Sequence, residues 1–232
     1  MKNMTIRDMQ NLNRDTIAYI ASVIQPGMTL RNVRTMCEEY MLSHGADSFW
    51  YWDVGAFVFR GEDTILSVSG RQYETADTVI ELNDIITIDL SPQRNSVWGD
   101  YARTIVLEDG NVVRDLAKIH NPQWREGLWM EERLHEAMRS FVCPHTTFEE
   151  LFFYINDLIR NNGYVNLDFL GNLGHSIVSE KSQRIYIEKG NKTKLSAIEA
   201  FTFEPHISLP GGKYGYKMEN IYSFNDSQVV EL

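Results

Sequence analysis

Four carboxylates and one imidazole stand along the chain in the order Asp89, Asp100, His175, Glu204 and Glu219, each inside a short apolar or glycine-bounded segment. A carboxylate in a run of branched apolar residues is costly to bury unless a cation neutralises it. Asp89 lies in such a run, Ile85-Ile86-Thr87-Ile88-Asp89-Leu90, and Gly99-Asp100 opens a second, Tyr101-Ala102-Arg103-Thr104-Ile105-Val106-Leu107. Both read as strands. The stretch Ser91–Ser96 between them has hairpin-turn chemistry, so folding back brings Asp100 alongside Asp89. Adjacent carboxylates repel, which raises one pKa unless a cation lies between them, and an oxygen-rich cluster with one imidazole suits a hard or borderline divalent ion. For this pair alone, an Asp89–Arg103 ion pair with Asp100 capping a turn stands beside the metal reading.

The remaining three residues favour a shared ion. His175 directly follows Gly174, where the backbone can pack closely and aim the ring inward, while Phe201–Pro205 and Tyr216–Tyr222 carry Glu204 and Glu219 within strand-like segments. Together these residues resemble the methionine aminopeptidase, prolidase and creatinase superfamily. The segment ending at Asp89, followed by Gly99-Asp100-Tyr101-Ala102-Arg103-Thr104, resembles that family's paired-aspartate hairpin, including its spacing. Gly174-His175 is similar to its ligand histidine, Phe203-Glu204-Pro205 to its Glu-Pro motif, and Gly215-Tyr216-Lys217-Met218-Glu219-Asn220 to its final ligand motif. The likeness runs from about Arg7 onward.

The resemblance implies an α+β pita-bread fold, with two pseudo-symmetric αβ halves around a curved antiparallel sheet. It implies one catalytic domain over 1–232, with no amino-terminal domain of the prolidase type. It also implies two divalent ions, manganese, iron, cobalt or zinc. Asp89 and Asp100 would hold them on one side and His175 on the other, with Glu219 bridging and Glu204 as the ligand that also accepts a proton from the attacking water.

Helices must position these ligands, and a repeat locates them. Pro26-Gly27-Met28-Thr29 and Pro144-His145-Thr146-Thr147 share a Pro-x-x-Thr pattern, each after an apolar helical run and before a second helix, with Gly45 and Gly163 at the same offset. Ile17, Ile20, Val23 and Ile24 make one helical stripe, and Met130, Leu134, Ala137, Met138 and Phe141 another. Thr29 and Thr147 are the expected N-caps. In the helix after Thr147, Phe148, Leu151, Phe152 and Ile155 are expected inward, with Glu149, Asn156 and Arg160 toward water.

A chain of 232 residues, 43% hydrophobic and 23% charged, holds enough apolar surface for one substantial core. Its net charge of -10 disfavours nucleic acid as a partner, because a phosphate-binding face needs clustered Lys and Arg. No apolar run approaches the length of a membrane helix, and Met1–Asp8 has no secretory apolar region, so a cytoplasmic location is expected. Cys37 and Cys143 read as ordinary small core residues.

Two departures from the family pattern bear on the substrate. Ser69-Gly70-Arg71-Gln72 and Ser179-Glu180-Lys181-Ser182-Gln183 stand where the family's two further histidines are expected. Arg71, Tyr73, Arg184 and His206 become the substrate-binding candidates, suited to a carboxylate-bearing ligand, with Gln72 and Tyr186 as further donors. For His206 a solvent-facing place past a strand end is the competing expectation. The aromatic run Phe49-Trp50-Tyr51-Trp52 should place at least two rings on a pocket, rim or subunit contact. The reading is a metal-dependent hydrolase resembling an aminopeptidase or Xaa-Pro dipeptidase, with a non-standard peptide or small amide-like substrate and a homodimer as one allowed assembly. An enzyme of a small non-peptide metabolite and a non-catalytic metal-containing binding protein of the same fold are the alternatives. Five costly ligands in register argue against the last, and the missing histidines argue for it.

Overall fold

The computed structural model describes residues 4–232, so the first three residues of the Met1–Asp8 segment lie outside the described residues. The repeat pairs α1 (Ile6–Val23) and α2 (Leu30–Ser43) with α3 (Pro122–Phe141) and α4 (Phe148–Asn161). Thr29 and Thr147 each close a capping box: the hydroxyl accepts the backbone N–H of Asn32 or Glu150, whose side chain accepts the threonine N–H. Each threonine also makes a lone antiparallel bridge, to Val79 and Lys194 respectively, so both caps dock on the following chain in the same way.

In the first half, β1 (Ser48–Phe49), β4 (Pro92–Arg94) and β5 (Val97–Trp98) form a small sheet, while β2 (Ala56–Arg60), β3 (Asp84–Leu90), β6 (Tyr101–Glu108) and β7 (Asn111–Val112) form a larger one. The second half carries β8 (Val165–Asn166), β11 (His206–Ser208) and β12 (Gly215–Lys217) in one sheet, and β9 (Ser176–Ile177), β10 (Ala200–Phe203), β13 (Asn220–Asn225) and β14 (Gln228–Glu231) in another. All pairings are antiparallel. Leu30, Val33, Cys37 and Met41 of α2 share a core with Ile86, Ile88 and Leu90 of β3. Met130, Leu134 and Met138 of α3 share a second core with Phe148, Leu151 and Ile155 of α4 and with Phe201 and Phe203.

Several expectations about facing are corrected. Phe141, at the end of α3, is exposed and stacks on Tyr154 with ring centroids 4.0 Å apart. Asn156 is buried, because its amide donates to Phe152 O and Gly171 O at 3.0 and 2.9 Å and ties α4 to the loop before His175. Cys37 is in the core, but Cys143 is exposed beyond the end of α3. The expectation for the aromatic run needs no correction: Phe49 closes β1, and the chain turns at Trp52 and Asp53 with φ of 58° and 57°.

The halves meet along β6. Glu219 N–H donates to Ala102 O at 3.0 Å, and Arg103 donates to Glu219 O at 2.8 Å and to Asn220 Oδ1 at 2.7 Å. From the other side α3 contributes His135, whose Nε2 lies 3.0 Å from Met218 O and whose Nδ1 lies 2.8 Å from Tyr222 Oη. The carbonyl can only accept, so Nε2 carries the proton of a neutral ring. Burial pushes His135 down to about 3.

An unfolded imidazole titrates near 6.5, so between that value and the folded one the unfolded chain binds the extra proton. The contribution of neutral His135 to stability is therefore complete above the unfolded pKa and is lost as pH falls toward the folded one. Two pH units inside that window should weaken folding by about 2–3 kcal/mol. His135→Gln keeps a donor and an acceptor without titrating, so its urea midpoint should fall less between pH 6.5 and 4.5. Parallel losses in variant and wild type would contradict this.

Candidate active site at the seam of the two halves

Each acid of interest stands where a strand begins, ends or breaks. Asp89 is next to last in β3, opposite Ala102 of β6. Asp100 directly precedes β6, its backbone held by Gln10 of α1, which donates from Nε2 to Asp100 O at 2.9 Å and accepts from Asp100 N–H at 3.2 Å. Glu204 falls between β10 and β11, and Glu219 between β12 and β13. Because Phe203 pairs with Asn220 and His206 with Lys217, the two breaks face each other and turn both carboxylates to the same place. His175 is locked to Thr202, donating its N–H to Thr202 Oγ1 at 2.9 Å and accepting Thr202 N–H on its carbonyl at 2.8 Å.

The structure brings all five residues together. Asp89, Asp100 and Glu219 each present a carboxylate oxygen within 4.8 Å of the other two. His175 Nε2 lies 3.4 Å from Asp100 Oδ2 and 3.8 Å from Glu204 Oε1. Lys217 enters the same cluster, its Nζ 2.5 Å from Asp89 Oδ2, 3.1 Å from Glu204 Oε2 and 3.6 Å from Glu219 Oε2. Asp89 thus has an internal cation, but it is not Arg103, which stands opposite Ile88 and bonds the seam backbone instead.

The electrostatics follow from burial and crowding. Burial, reinforced by the charges of Asp89 and Glu204, pushes Asp100 up to about 7 against the pull of His175. Burial and the surrounding acids raise Glu219 well above the carboxylate range. Burial alone would also raise Glu204, but Lys217 and His175 hold it below its ordinary value. Burial would lower Lys217, yet Asp89, Glu204 and Glu219 raise it. Both Glu219 oxygens are buried without a hydrogen-bond partner. A fully buried carboxylate left in that state costs several kcal/mol unless a cation or proton meets it. Oxygen donors with one imidazole suit a hard or borderline divalent ion, so the residues fit a metal.

The cluster lines a cavity of about 290 Å³, into which Asp89, Asp100, His175, Glu204 and Lys217 all reach. Among the four substrate candidates, Arg184 and His206 line it, whereas Arg71 and Tyr73 do not. Arg71 lies on the surface with its guanidinium 4.4 Å from the Trp52 ring centre. Tyr73 is buried, its hydroxyl accepting Val58 N–H at 2.8 Å and donating to Val58 O at 3.2 Å, which makes it a brace for β2. His206 is not solvent-facing: it is buried in β11 with Nε2 2.7 Å from Thr64 O, and burial with Lys217 nearby lowers it to about 4. Arg184 donates from Nε to Lys181 O and spreads over Trp50, 4.7 Å from the ring centre. Trp50 and Tyr51, from the aromatic run, and Tyr186 also line the cavity.

Sequence reasoning missed Lys217 and Asp168 as site residues. Asp168 lines the cavity, accepts from Ser67 Oγ at 3.1 Å and is raised by burial and by Glu204. The alternating Tyr216-Lys217-Met218-Glu219 pattern was the available signal for Lys217, since it puts the lysine and the ligand glutamate on one side of a strand.

No curated protein sequence matches the chain. Among solved structures, an X-Pro aminopeptidase from Thermotoga maritima is similar over 98% of this chain and 59% of its own, with a TM-score of 0.80 at 19% identity. A prolidase from Pyrococcus furiosus is similar over 97% of this chain and 61% of its own, with a TM-score of 0.79 at 21% identity. An Xaa-Pro dipeptidase from Bacillus anthracis covers 97% and 58%, with a TM-score of 0.77 at 20% identity. The chain therefore spans about three fifths of the length of these structures and shares their pita-bread fold. Among the described residues no helix is long and apolar enough to cross a membrane. Residues 5–225 match the profile of metallopeptidase family M24, and the chain belongs to that family.

Proposed function

We propose that this protein is a metal-dependent hydrolase of an amide bond, with Asp89, Asp100, His175, Glu204 and Glu219 as the metal-holding set. The observation that carries the reading is the buried Glu219 carboxylate, without a hydrogen-bond partner and with Lys217 Nζ 3.6 Å away, grouped with Asp89 and Asp100, which line a substrate-sized cavity. A divalent ion held there supplies Lewis-acid chemistry, acidifying water and polarising a carbonyl. Glu204 is the proton acceptor for the attacking water: its carboxylate is kept ionised by Lys217 and His175, and Thr202 Oγ1 donates to it at 3.2 Å. Neutral His206, with its Nε2 proton given to Thr64 O, leaves Nδ1 as an acceptor beside the reacting amide. Arg184, flattened on Trp50 with its terminal nitrogens unspent, is the recognition group for a substrate carboxylate.

The substrate class is a peptide or a small amide bearing a free carboxylate. The peptide part of the reading draws on the prolidases and X-Pro peptidases named above. The departure from standard substrates rests on the cavity lining, whose histidines are His175 and His206. A single cytoplasmic domain over 1–232, with a homodimer as the assembly to look for, completes the proposal.

Manganese-, cobalt- and iron-loaded protein should be screened against Met-peptides, Xaa-Pro dipeptides and small amides with free or amidated carboxylates. Weak turnover of the Met-peptides and Xaa-Pro dipeptides is expected, with preference for the free carboxylate on the small amides. Arg184→Ala should raise KM for the preferred substrate by about tenfold or more while changing kcat little, the loss of one charge-assisted pair. Robust turnover of Met-peptides or Xaa-Pro dipeptides would overturn the substrate reading. Metal binding without turnover on any panel would favour a binding protein of the same fold.

A further inference from the structure

Lys217 is more than a neighbour of the acid cluster. Its ammonium contacts three of the four carboxylates, Asp89 Oδ2 at 2.5 Å, Glu204 Oε2 at 3.1 Å and Glu219 Oε2 at 3.6 Å. Its position is fixed by backbone, since Lys217 N–H donates to Thr104 Oγ1 at 3.0 Å and Lys217 O accepts from the same hydroxyl at 3.1 Å. The side chain is only 15% exposed, so its charge is satisfied mainly by these carboxylates.

A divalent ion needs its oxygens at about 2.0–2.2 Å. An ion at that distance from Asp89 Oδ2 and Glu204 Oε2 would share the space that Lys217 Nζ fills and would face its positive charge. Separating the ammonium from three carboxylates in a largely buried site is unfavourable. The oxygens that remain close together belong to Asp89, Asp100 and Glu219, enough for one ion. His175 and Glu204 are outside that triad, and Glu204 is already held by Lys217.

We infer that Lys217 takes the place of one of two cations, so that the site holds a single divalent ion on Asp89, Asp100 and Glu219. This rests on the metal-dependent reading above, specifies its stoichiometry and narrows its five-residue metal-holding set to the three whose oxygens lie together. It also divides the carboxylates: Asp100 and Glu219 serve the ion, Glu204 is left to the lysine and the substrate side, and Asp89 is shared.

The test is the number of manganese ions bound, measured by elemental analysis after equilibration with excess manganese and by titration calorimetry. Wild-type protein should bind one ion per chain with an uncoupled manganese EPR spectrum. Lys217→Met, which keeps the length of the side chain and removes the charge, should bind two with an exchange-coupled spectrum. Lys217→Gln serves as a second variant should the first fold poorly, and the wild-type count decides on its own. Two ions in wild type, or one in both folded variants, would overturn the inference while leaving a metal-dependent site. No ion in any of the proteins would overturn the inference and the proposed function together.

Discussion

Asp100→Ala should abolish stoichiometric metal binding and reverse the order of thermal stability between metal-loaded and chelated protein. In wild type, Asp100 is buried against Asp89 and Glu204 and is pushed up to about 7, so without a cation its ionised form destabilises the fold. Removing it relieves that repulsion, and the chelated variant is expected to melt at or above chelated wild type. With metal the order inverts. An ion present at a hundredfold excess over its Kd stabilises a folded chain by about 2.7 kcal/mol. For a chain of this size that corresponds to a rise of roughly 5–10 °C, which wild type should gain and the variant should not. Differential scanning fluorimetry with and without chelator, paired with elemental analysis, reads both halves. Unchanged occupancy in the variant would remove Asp100 from the ligand set.

The second large effect is expected at Gly174. This residue has φ of 132°, and a Cβ added there would lie 2.3 Å from Thr202 O, so backbone would have to move. The carbonyl belongs to the residue that locks His175, so the displaced segment carries with it the imidazole that lies 3.4 Å from Asp100 Oδ2. Gly174→Ala should cost about 4 kcal/mol in urea unfolding, at the diagnostic end of single-substitution effects, and should weaken metal binding as well. Gly27→Ala is the matched control. Gly27 also has positive φ, 88°, but nothing lies within 4 Å of the added carbon. Only the left-handed backbone penalty of about 1–2 kcal/mol applies there, with metal binding unchanged. Equal losses at the two positions would show that the close approach to Thr202 has no energetic weight.

Local signals were enough to make much of this protein legible. The Pro-x-x-Thr repeat announced two capped helix pairs because a capping box is closed within four residues, and both boxes and their matching bridges are present. The five chemistry-bearing residues stood out because an acid amid branched apolar residues, or a histidine after glycine, is costly unless something compensates it. Helix facing was legible where hydrophobicity alone decided it, as at Leu134 and Met138. It failed at Asn156, whose burial is compensated by hydrogen bonds to a loop that only folding brings near.

What the tertiary structure decided was which charge meets which. Arg103 is near Asp89 in sequence and across the same strand pair, yet the register puts it opposite Ile88, where it bonds the seam backbone. Lys217, distant in sequence, reaches Asp89 because Glu219 N–H pairs with Ala102 O across the two halves. Folding also separates Arg184 and His206, which line the cavity, from Arg71 and Tyr73, which do not. Residue type and spacing determined which groups need partners; the pairing between halves, set by hydrogen bonds separated by more than a hundred residues, determined who those partners are.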